Sequence, residues 1–183
     1  MNDKIAEFAA HLRENERAAA AEREGDRRLY FLLQTLGGTG MRVSELPFIT
    51  VEAVEAGYAT VTLKGKTRTV FLVKPLQKKL RRYIRETGIT SGAVFVTRTG
   101  KPIDRTNIWR EMKKLCKAAK VDPRKVFSHN LRHLFARIFY RLDKDIAKLA
   151  DILGHSSIET TRIYIISTGT EYRRRMEQMR LVL

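Results

Sequence analysis

Five short stretches of the sequence combine side chains that could act on a phosphate group. They lie at residues 40–46, 64–66, 129–133 and 153–157 and at Tyr164. Cleavage of a phosphodiester by a protein nucleophile places extra negative charge on the phosphate oxygens, so donors must be fixed where that charge develops. Arg42 and Arg132 suit this role, because a guanidinium is permanently charged and binds oxyanions through two parallel hydrogen bonds. The alternative is that both arginines carry solvated surface charge, as most helical arginines do.

Tyr164, nine residues beyond His155, is the candidate nucleophile. A free phenol has a pKa of about 10, so it attacks well only beside a base and a cationic site. His129 precedes Arg132 by three residues, which puts both on one helix face. Because imidazole titrates near neutrality, His129 is the candidate base. The competing interpretation of Tyr164 is a core tyrosine, since it lies in the apolar run 163–166.

Three patterns give these residues a common context. They are G-x-R-x-S-E-L at 40–46, H-x-L-R-H at 129–133 and L-G-H-S-S-x-x-T-T-x-x-Y at 153–164, in that order. Together they resemble the catalytic domain of the tyrosine recombinases, the phage integrase family, and the resemblance extends from about residue 26 to the end of the chain. It implies a site-specific DNA recombinase or integrase that cleaves and rejoins strands through a covalent 3′-phosphotyrosine, with no cofactor, ATP or metal required.

The resemblance also implies how the roles are divided. Arg42 and Arg132 would bind the scissile phosphate, which Tyr164 attacks. His129 would accept the phenolic proton, whereas His155 would donate a hydrogen bond to a non-bridging phosphate oxygen. Cleavage would leave a free 5′-hydroxyl, and the 5′-hydroxyl of a second strand would reverse the step on a new partner.

In this family a lysine in a β-hairpin turn acts as the general acid for the leaving 5′ oxygen. Lys64 matches the K-G pair of the family's turn and is the first choice. Lys66 remains the alternative, because this turn is one residue shorter than usual and Leu63 replaces the leading glycine. Glu45 matches the family's acidic position, and we expect it to orient the site.

Two further residues could compete for a chemical role. His133 forms an H-x-x-x-H pair with His129, which suggests a zinc site. A zinc-peptidase helix needs glutamate at the second position, where this sequence has Asn130, so we expect no metal and assign His133 to packing or hydrogen bonding. Tyr172 is a competing hydroxyl, but it lies 17 residues beyond His155 and is set aside.

The charge of the chain favours a polyanionic partner. Its 183 residues include 36 Lys and Arg against 20 Asp and Glu, a formal net charge of +16. Residues 1–40 hold 6 basic and 7 acidic side chains, so the rest of the chain holds 30 and 13. Double-stranded DNA is the expected partner. A single cysteine excludes a disulfide framework, and the lack of a long apolar run or secretory signal predicts a cytoplasmic protein with no membrane partner.

The local patterns predict a mainly helical α+β fold with a small antiparallel sheet. A β-hairpin is expected at 58–63 and 67–73 around the turn 64–66, with a third short strand at 93–97. Gly25, Gly37, Gly154 and Gly169 are expected to end helices, and Asp104 and Asp145 to cap them. The predicted helices cover 1–24, 26–36, a short helix from 44 that Pro47 interrupts, 75–86, 104–119, 128–142, 145–153, 157–166 and 170–180.

We predict two parts to the chain. Residues 1–25 are a linker helix or the end of an N-terminal DNA-binding domain, and residues 26–183 are the catalytic domain with a C-terminal tail helix. Because the family usually carries further N-terminal DNA-binding domains, we expect a fragment of a longer integrase in preference to a minimal one. The tail at 171–183 resembles a family helix that packs on a neighbouring protomer, which predicts a homo-oligomer, a tetramer on DNA. Folding back onto the same molecule is the alternative for the tail.

Two other functions remain open. One is a non-catalytic DNA-binding module of the same fold, against which the intact set of site residues argues. The other is a type IB topoisomerase-like enzyme, which shares the chemistry but relaxes DNA without exchanging partners. The L-G-H-S-S pattern favours the recombinase over this second alternative.

Overall fold

A computed structural model of the chain describes residues 24–63, 65–118, 124, 127–164 and 178–179. The chain falls into two units, the first extending through Phe135 and the second beginning at Ala136, inside one helix. In the part of the chain that the structure describes, no helix is both long and apolar enough to cross a membrane. The predicted helices at 1–24 and 170–180, and the stop at Gly169, lie outside the described residues.

The first unit combines helices with one hairpin. It contains α1 (Glu24–Thr39), a 3-10 helix (Val43–Phe48), α2 (Val51–Ala56), β1 (Tyr58–Leu63), β2 (Lys66–Phe71), α3 (Lys74–Thr87), α4 (Arg105–Ala118) and the start of α5 (Ser128–Asp143). The second unit contains the rest of α5, α6 (Ile146–Leu153) and α7 (Ile158–Arg162). The predicted mixture of many helices and a small antiparallel sheet is confirmed.

The two strands pair antiparallel, with Leu63 opposite Lys66 and Tyr58 opposite Phe71. The turn therefore holds two residues where three were predicted, and β2 ends two residues earlier. The third strand predicted at 93–97 is wrong. This segment makes only isolated bridges, Thr50 to Ala93 and Val96 to Pro102. Its backbone groups bond to two different segments, and neither pairing is long enough to form a ladder.

The glycine-rich end of α1 differs from the prediction. Gly25 lies in the first turn of α1, and the helix continues past Gly37 to Thr39. The Thr39 hydroxyl donates to the carbonyl of Thr35 at 2.6 Å, which ties the last turn together. Gly40, with φ of +64°, then reverses the chain.

The following segment also corrects the prediction. Pro47 lies inside the 3-10 helix and does not interrupt it. The helix α2 was not predicted, although Thr50 caps it by accepting the N–H of Ala53 at 3.1 Å. Only six residues long, α2 has too short an apolar pattern to be distinguished from a loop.

The later helices agree with the prediction in the described part of the chain, apart from the length of α7. Asp104 accepts the N–H of Asn107 at 2.7 Å before α4, and Asp145 accepts two backbone N–H groups at the start of α6. Ser157 caps α7, which ends at Arg162, four residues earlier than predicted. Local capping chemistry was therefore a reliable guide to where these helices begin.

The core of the first unit lies between α1, α3 and the segment after α3. Phe31 on α1 contacts the ring of Tyr83 on α3, with ring centroids 4.9 Å apart, and Tyr83 stacks on Phe95 at 6.1 Å. Ile103, just before α4, and Ile108 and Met112 on α4 are all buried. These contacts fix the positions of α1 and α4. The loop after α1 and the start of α4 both carry site residues described below.

Gly40 offers a direct test of how the end of α1 is built. A Cβ atom added there would lie 2.4 Å from the ring of Phe135, in addition to the strain of φ +64°. Gly88 has a similar φ of +69°, but a Cβ there meets nothing within 4 Å. Both alanine variants carry a left-handed backbone penalty of about 1–2 kcal/mol. Only Gly40→Ala adds an overpacking penalty of about 1–3 kcal/mol.

We therefore expect Gly40→Ala to lower the free energy of unfolding clearly more than Gly88→Ala does. Urea denaturation of both variants beside the unmodified chain measures the difference. Equal losses in the two variants would show that the Phe135 ring moves away without penalty.

Candidate active site

The first unit contains a cationic cavity of about 250 Å³. Three separate segments supply its walls: the loop after α1, the start of α4 and the start of α5. The residues that line it are Met41, Arg42, Val43, Ser44, Arg105, Ser128, His129 and Arg132. None of these described lining residues is acidic, so three guanidinium groups and an imidazole face one space. Such a lining is suited to an oxyanion.

Arg132 lies on α5, one turn after His129, and is only 1% exposed. Its Nη1 donates a hydrogen bond to the carbonyl oxygen of Gly40 at 2.7 Å. Because a guanidinium stays charged at every relevant pH, burying it demands hydrogen-bond partners. The Gly40 carbonyl supplies one of them and fixes α5 against the loop that carries Arg42.

The buried side chain of Glu45 holds Arg42 in place. The Glu45 side chain is 2% exposed and accepts the backbone N–H of Arg42 at 2.7 Å and its guanidinium at 3.1 Å. It also accepts Nη2 of Arg68, on β2, at 2.6 Å. Arg42 keeps 41% of its side-chain surface exposed, so a ligand can reach it. This geometry would let Glu45 orient Arg42, and that role stays a prediction.

His129 occupies the cavity beside these cations. Burial, followed by the positive charges of Arg132 and Arg42, lowers the pKa of His129 below its ordinary value of 6.5. The imidazole is therefore neutral near pH 7 and able to accept a proton. The His133 ring packs edge-on against it, with centroids 4.8 Å apart. No group of three His, Cys, Asp or Glu residues that could hold a metal ion occurs among the residues the structure describes.

The hairpin lysines are only partly described. Lys64 lies outside the described residues. Lys66, exposed, is the first residue of β2 and shares a face of the hairpin with Arg68 and the buried Val70, because alternate strand residues point to the same side. Lys66 thus lies on the same side as the arginine that contacts Glu45. Both lysines stay predictions.

In the second unit, the end of α6 places His155. Gly154 adopts φ of +66°, and the N–H of His155 bonds to the carbonyl of Ala150 at 2.9 Å. This is the Schellman arrangement, in which a left-handed glycine lets the chain leave the helix and the next N–H bonds to the carbonyl five residues back. The L-G-H sequence therefore fixes the backbone of His155 immediately after the turn.

Tyr164 lies against His155 in the same unit. Their rings are nearly parallel, at 11°, with centroids 5.6 Å apart, and Tyr164 is 6% exposed. The Nδ1 atom of His155 lies 2.8 Å from Oγ1 of Thr161. The backbone N–H of Tyr164 bonds to the carbonyl of Thr161 at 3.1 Å. Tyr172 lies outside the described residues.

The structure thus brings Arg42, Glu45, His129 and Arg132 together in the first unit, and His155 and Tyr164 in the second. Sequence reasoning missed three participants. Arg105 follows the Asp104 cap directly and could have been noticed as a cation at a helix start. Arg68 carries no signal by itself, because its partner Glu45 is distant in the chain. Thr161 belongs to the L-G-H-S-S-x-x-T-T-x-x-Y pattern, but the pattern does not show that its hydroxyl contacts His155, six residues earlier.

Comparison with known proteins gives one consistent result. The sequence profile described as the phage integrase family matches residues 11–171. The tyrosine recombinase XerA of Pyrococcus furiosus is 34% identical over 162 residues, which cover 85% of this chain and 55% of that protein. The tyrosine recombinase XerC of Erythrobacter litoralis is 35% identical over 152 residues, 81% of this chain and 49% of that one.

Comparison with solved structures gives the same result. A crystal structure of XerA recombinase has a TM-score of 0.71 and 29% identity, and the match covers 86% of this chain and 58% of that one. XerH bound to its difH substrate also gives 0.71, at 22% identity over 90% of this chain and 48% of that one, a likeness of fold. The chain spans about half the length of the curated relatives it matches.

The environment of His129 predicts a pH effect on stability. Because the folded-state pKa of His129 lies below its ordinary value of 6.5, the unfolded chain binds more protons as the pH falls through that value. The free energy of unfolding should therefore fall with falling pH through this window. His129→Asn removes the contribution, so the variant should lose less stability between pH 7 and 5 than the unmodified chain.

Urea denaturation at several pH values measures the two slopes, and their difference isolates His129 from the other titrating groups. Identical slopes would mean that neither burial nor the arginine charges lower the pKa of His129 in the folded chain.

Proposed function

The chain belongs to the phage integrase family, and from this premise we propose that it is the catalytic part of a site-specific DNA recombinase. Its substrate would be double-stranded DNA, cleaved and rejoined through a covalent 3′-phosphotyrosine. The observation that carries the proposal is the cavity where Arg42, His129 and Arg132 converge without an acidic lining residue among those described. A further support is the relative XerH, whose structure was determined bound to its difH substrate before cleavage.

In the proposed cleavage step, the two arginines bind the non-bridging oxygens of the scissile phosphate. The phenolic oxygen of Tyr164 attacks phosphorus, and its proton passes to neutral His129. The bond between phosphorus and the 5′ oxygen breaks, and that oxygen takes a proton from the hairpin lysine. The products are a 3′-phosphotyrosyl bond and a free 5′-hydroxyl, so one ester replaces another and its bond energy is retained.

Three properties of the residues fit these roles. Arg132 is held before the substrate arrives, because Gly40 already accepts its hydrogen bond, and preorganised donors stabilise developing charge without reorganising. His129 is neutral near pH 7, as a base must be, because its pKa is lowered. His155 is held by Thr161 at Nδ1, and in the proposed step its Nε2 donates to a phosphate oxygen.

Rejoining reverses these steps with the 5′-hydroxyl of another strand as the nucleophile. Exchange between duplexes requires several active sites on one DNA assembly, which is why we propose a homo-oligomer, a tetramer on DNA. The predicted helix exchange through residues 171–183 remains a prediction, since that segment is outside the described residues apart from 178–179.

The covalent intermediate gives the direct test. End-labelled duplexes from the DNA flanking the reading frame are incubated with the chain, stopped with detergent and separated on a denaturing gel. We expect a labelled protein adduct from the unmodified chain and from Tyr172→Phe, the competing tyrosine, and none from Tyr164→Phe. The adduct should disappear on proteolysis of the protein.

Each other result has a defined meaning. An adduct that persists in Tyr164→Phe and disappears in Tyr172→Phe moves the nucleophile. No adduct from the unmodified chain on any duplex would favour the non-catalytic DNA-binding module. Transfer of the label to a second duplex distinguishes a recombinase from a topoisomerase, which only reseals the original strand.

A second experiment separates the two lysines. Once the cleavage position is mapped, the same duplex is made with sulfur in place of the bridging 5′ oxygen at that position. A thiolate leaves without protonation, because thiols are far more acidic than alcohols, so the sulfur substrate bypasses the general acid.

We expect Lys64→Ala to slow cleavage of the oxygen substrate by about 10²–10⁴-fold and to cleave the sulfur substrate at nearly the normal rate. Lys66→Ala, the matched control, should cleave both at nearly the normal rate. The opposite pattern would assign the role to Lys66, and failure of sulfur to rescue either variant would reject a lysine general acid.

A further inference from the structure

Thr161 touches two residues of the candidate site while being itself inaccessible to substrate. It is fully buried in α7, and its Oγ1 lies 2.8 Å from Nδ1 of His155. Its carbonyl oxygen accepts the backbone N–H of Tyr164 at 3.1 Å. One residue therefore bonds to both His155 and Tyr164, through its side chain and its backbone respectively.

A hydrogen bond at Nδ1 decides what the other ring nitrogen can do. A neutral imidazole has one N–H donor and one acceptor nitrogen, and the partner at one position selects the tautomer. When the Thr161 hydroxyl donates to Nδ1 of His155, the ring proton is on Nε2, which becomes a donor. When Nδ1–H of the neutral ring donates to the hydroxyl instead, Nε2 is an acceptor, and the distance of 2.8 Å fits both directions. When the ring is protonated, the same hydroxyl can accept from Nδ1, and Nε2 is still a donor.

We propose that Thr161 is a positioning residue that keeps Nε2 of His155 protonated and aimed as a hydrogen-bond donor toward the substrate phosphate. The identity of that substrate rests on the proposed function, whereas the tautomer of His155 is a property of the free protein. A hydroxyl suits this position, because it can donate to a neutral ring and accept from a charged one.

Three contacts fix the orientation of the imidazole. The Thr161 hydroxyl holds one edge, the Tyr164 ring lies parallel to its plane at 5.6 Å, and the backbone of His155 is bonded to Ala150. Loss of the hydroxyl leaves the backbone and the aromatic contact in place. Removing it should therefore change the tautomer and the aim of Nε2 with little change in the fold.

The chain supplies its own matched control. Thr160 precedes Thr161 on the same helix, is exposed, and bonds to Ser157 through its backbone N–H at 3.2 Å. Thr160→Val and Thr161→Val make the same chemical change one residue apart. Thr161→Ser keeps the hydroxyl and removes only a methyl group, so it separates the hydrogen bond from packing.

The first measurement reads the tautomer directly, in the free protein. Long-range proton–nitrogen NMR spectra of ¹⁵N-labelled chain distinguish protonated from unprotonated ring nitrogens. The sequence has four histidines, and His155 is assigned by the signals missing from His155→Asn. We expect protonated Nε2 in the unmodified chain, Thr161→Ser and Thr160→Val, and a mixture of tautomers in Thr161→Val. Protonated Nδ1 with unprotonated Nε2 in the unmodified chain, or an unchanged tautomer in Thr161→Val, would overturn the proposal.

The second measurement is the rate of adduct formation on the duplex identified above. We expect Thr161→Val to be slower by about tenfold, the loss of one hydrogen bond, and Thr161→Ser to stay within about twofold of the unmodified chain. Equal slowing in Thr161→Ser and Thr161→Val would assign Thr161 to packing and overturn the proposal. If the unmodified chain forms no adduct but the tautomer still shifts, control of His155 by Thr161 is supported and the proposed function fails.

Discussion

The hydrogen bond between the Arg132 guanidinium and the Gly40 carbonyl joins the parts of the cationic cavity. Arg132 cannot lose its charge, so the fold can bury it only by meeting its N–H groups with acceptors. Gly40 serves because its left-handed backbone ends α1 while its missing side chain leaves room for Phe135. The same residue therefore ends a helix, admits an aromatic ring and fixes a catalytic candidate. This explains why a glycine begins the G-x-R-x-S-E-L pattern.

Glu45 resolves an apparent contradiction in a site built for an anion. A carboxylate lining the cavity would repel phosphate, but Glu45 is buried and its oxygens are engaged by Arg42 and Arg68. Breaking a buried pair by removing one partner typically costs about 3–5 kcal/mol, far more than an exposed pair contributes. The carboxylate thus holds Arg42 in place and ties it to β2, the strand that begins with Lys66.

The parts predictable from the sequence were those set by local chemistry. Asp104, Asp145 and Ser157 capped their helices as side-chain oxygens beside free N–H groups do, and β-branched alternation predicted the hairpin. The false strand at 93–97 and the missed α2 depend on which distant segment lies alongside, which no local pattern records.

The residues of the candidate site also differ in how far the sequence alone reveals them. Fixed motif spacing pointed to the arginines, histidines and tyrosine as candidates, because the chemistry of a guanidinium, an imidazole or a phenol follows from the residue type. Arg68 and Thr161 were assigned no role, although Thr161 lies in the third pattern, because an arginine on a strand and a threonine on a helix acquire a role only through Glu45 and His155. The charges in the cavity carry one further consequence for the proposed reaction. Burial and the charges of Arg132 and Arg42 lower the pKa of His129, and a bound phosphate would offset the two charges. The base would thus stay neutral before substrate arrives and gain proton affinity once the phosphate is in place, which is when Tyr164 must lose its proton.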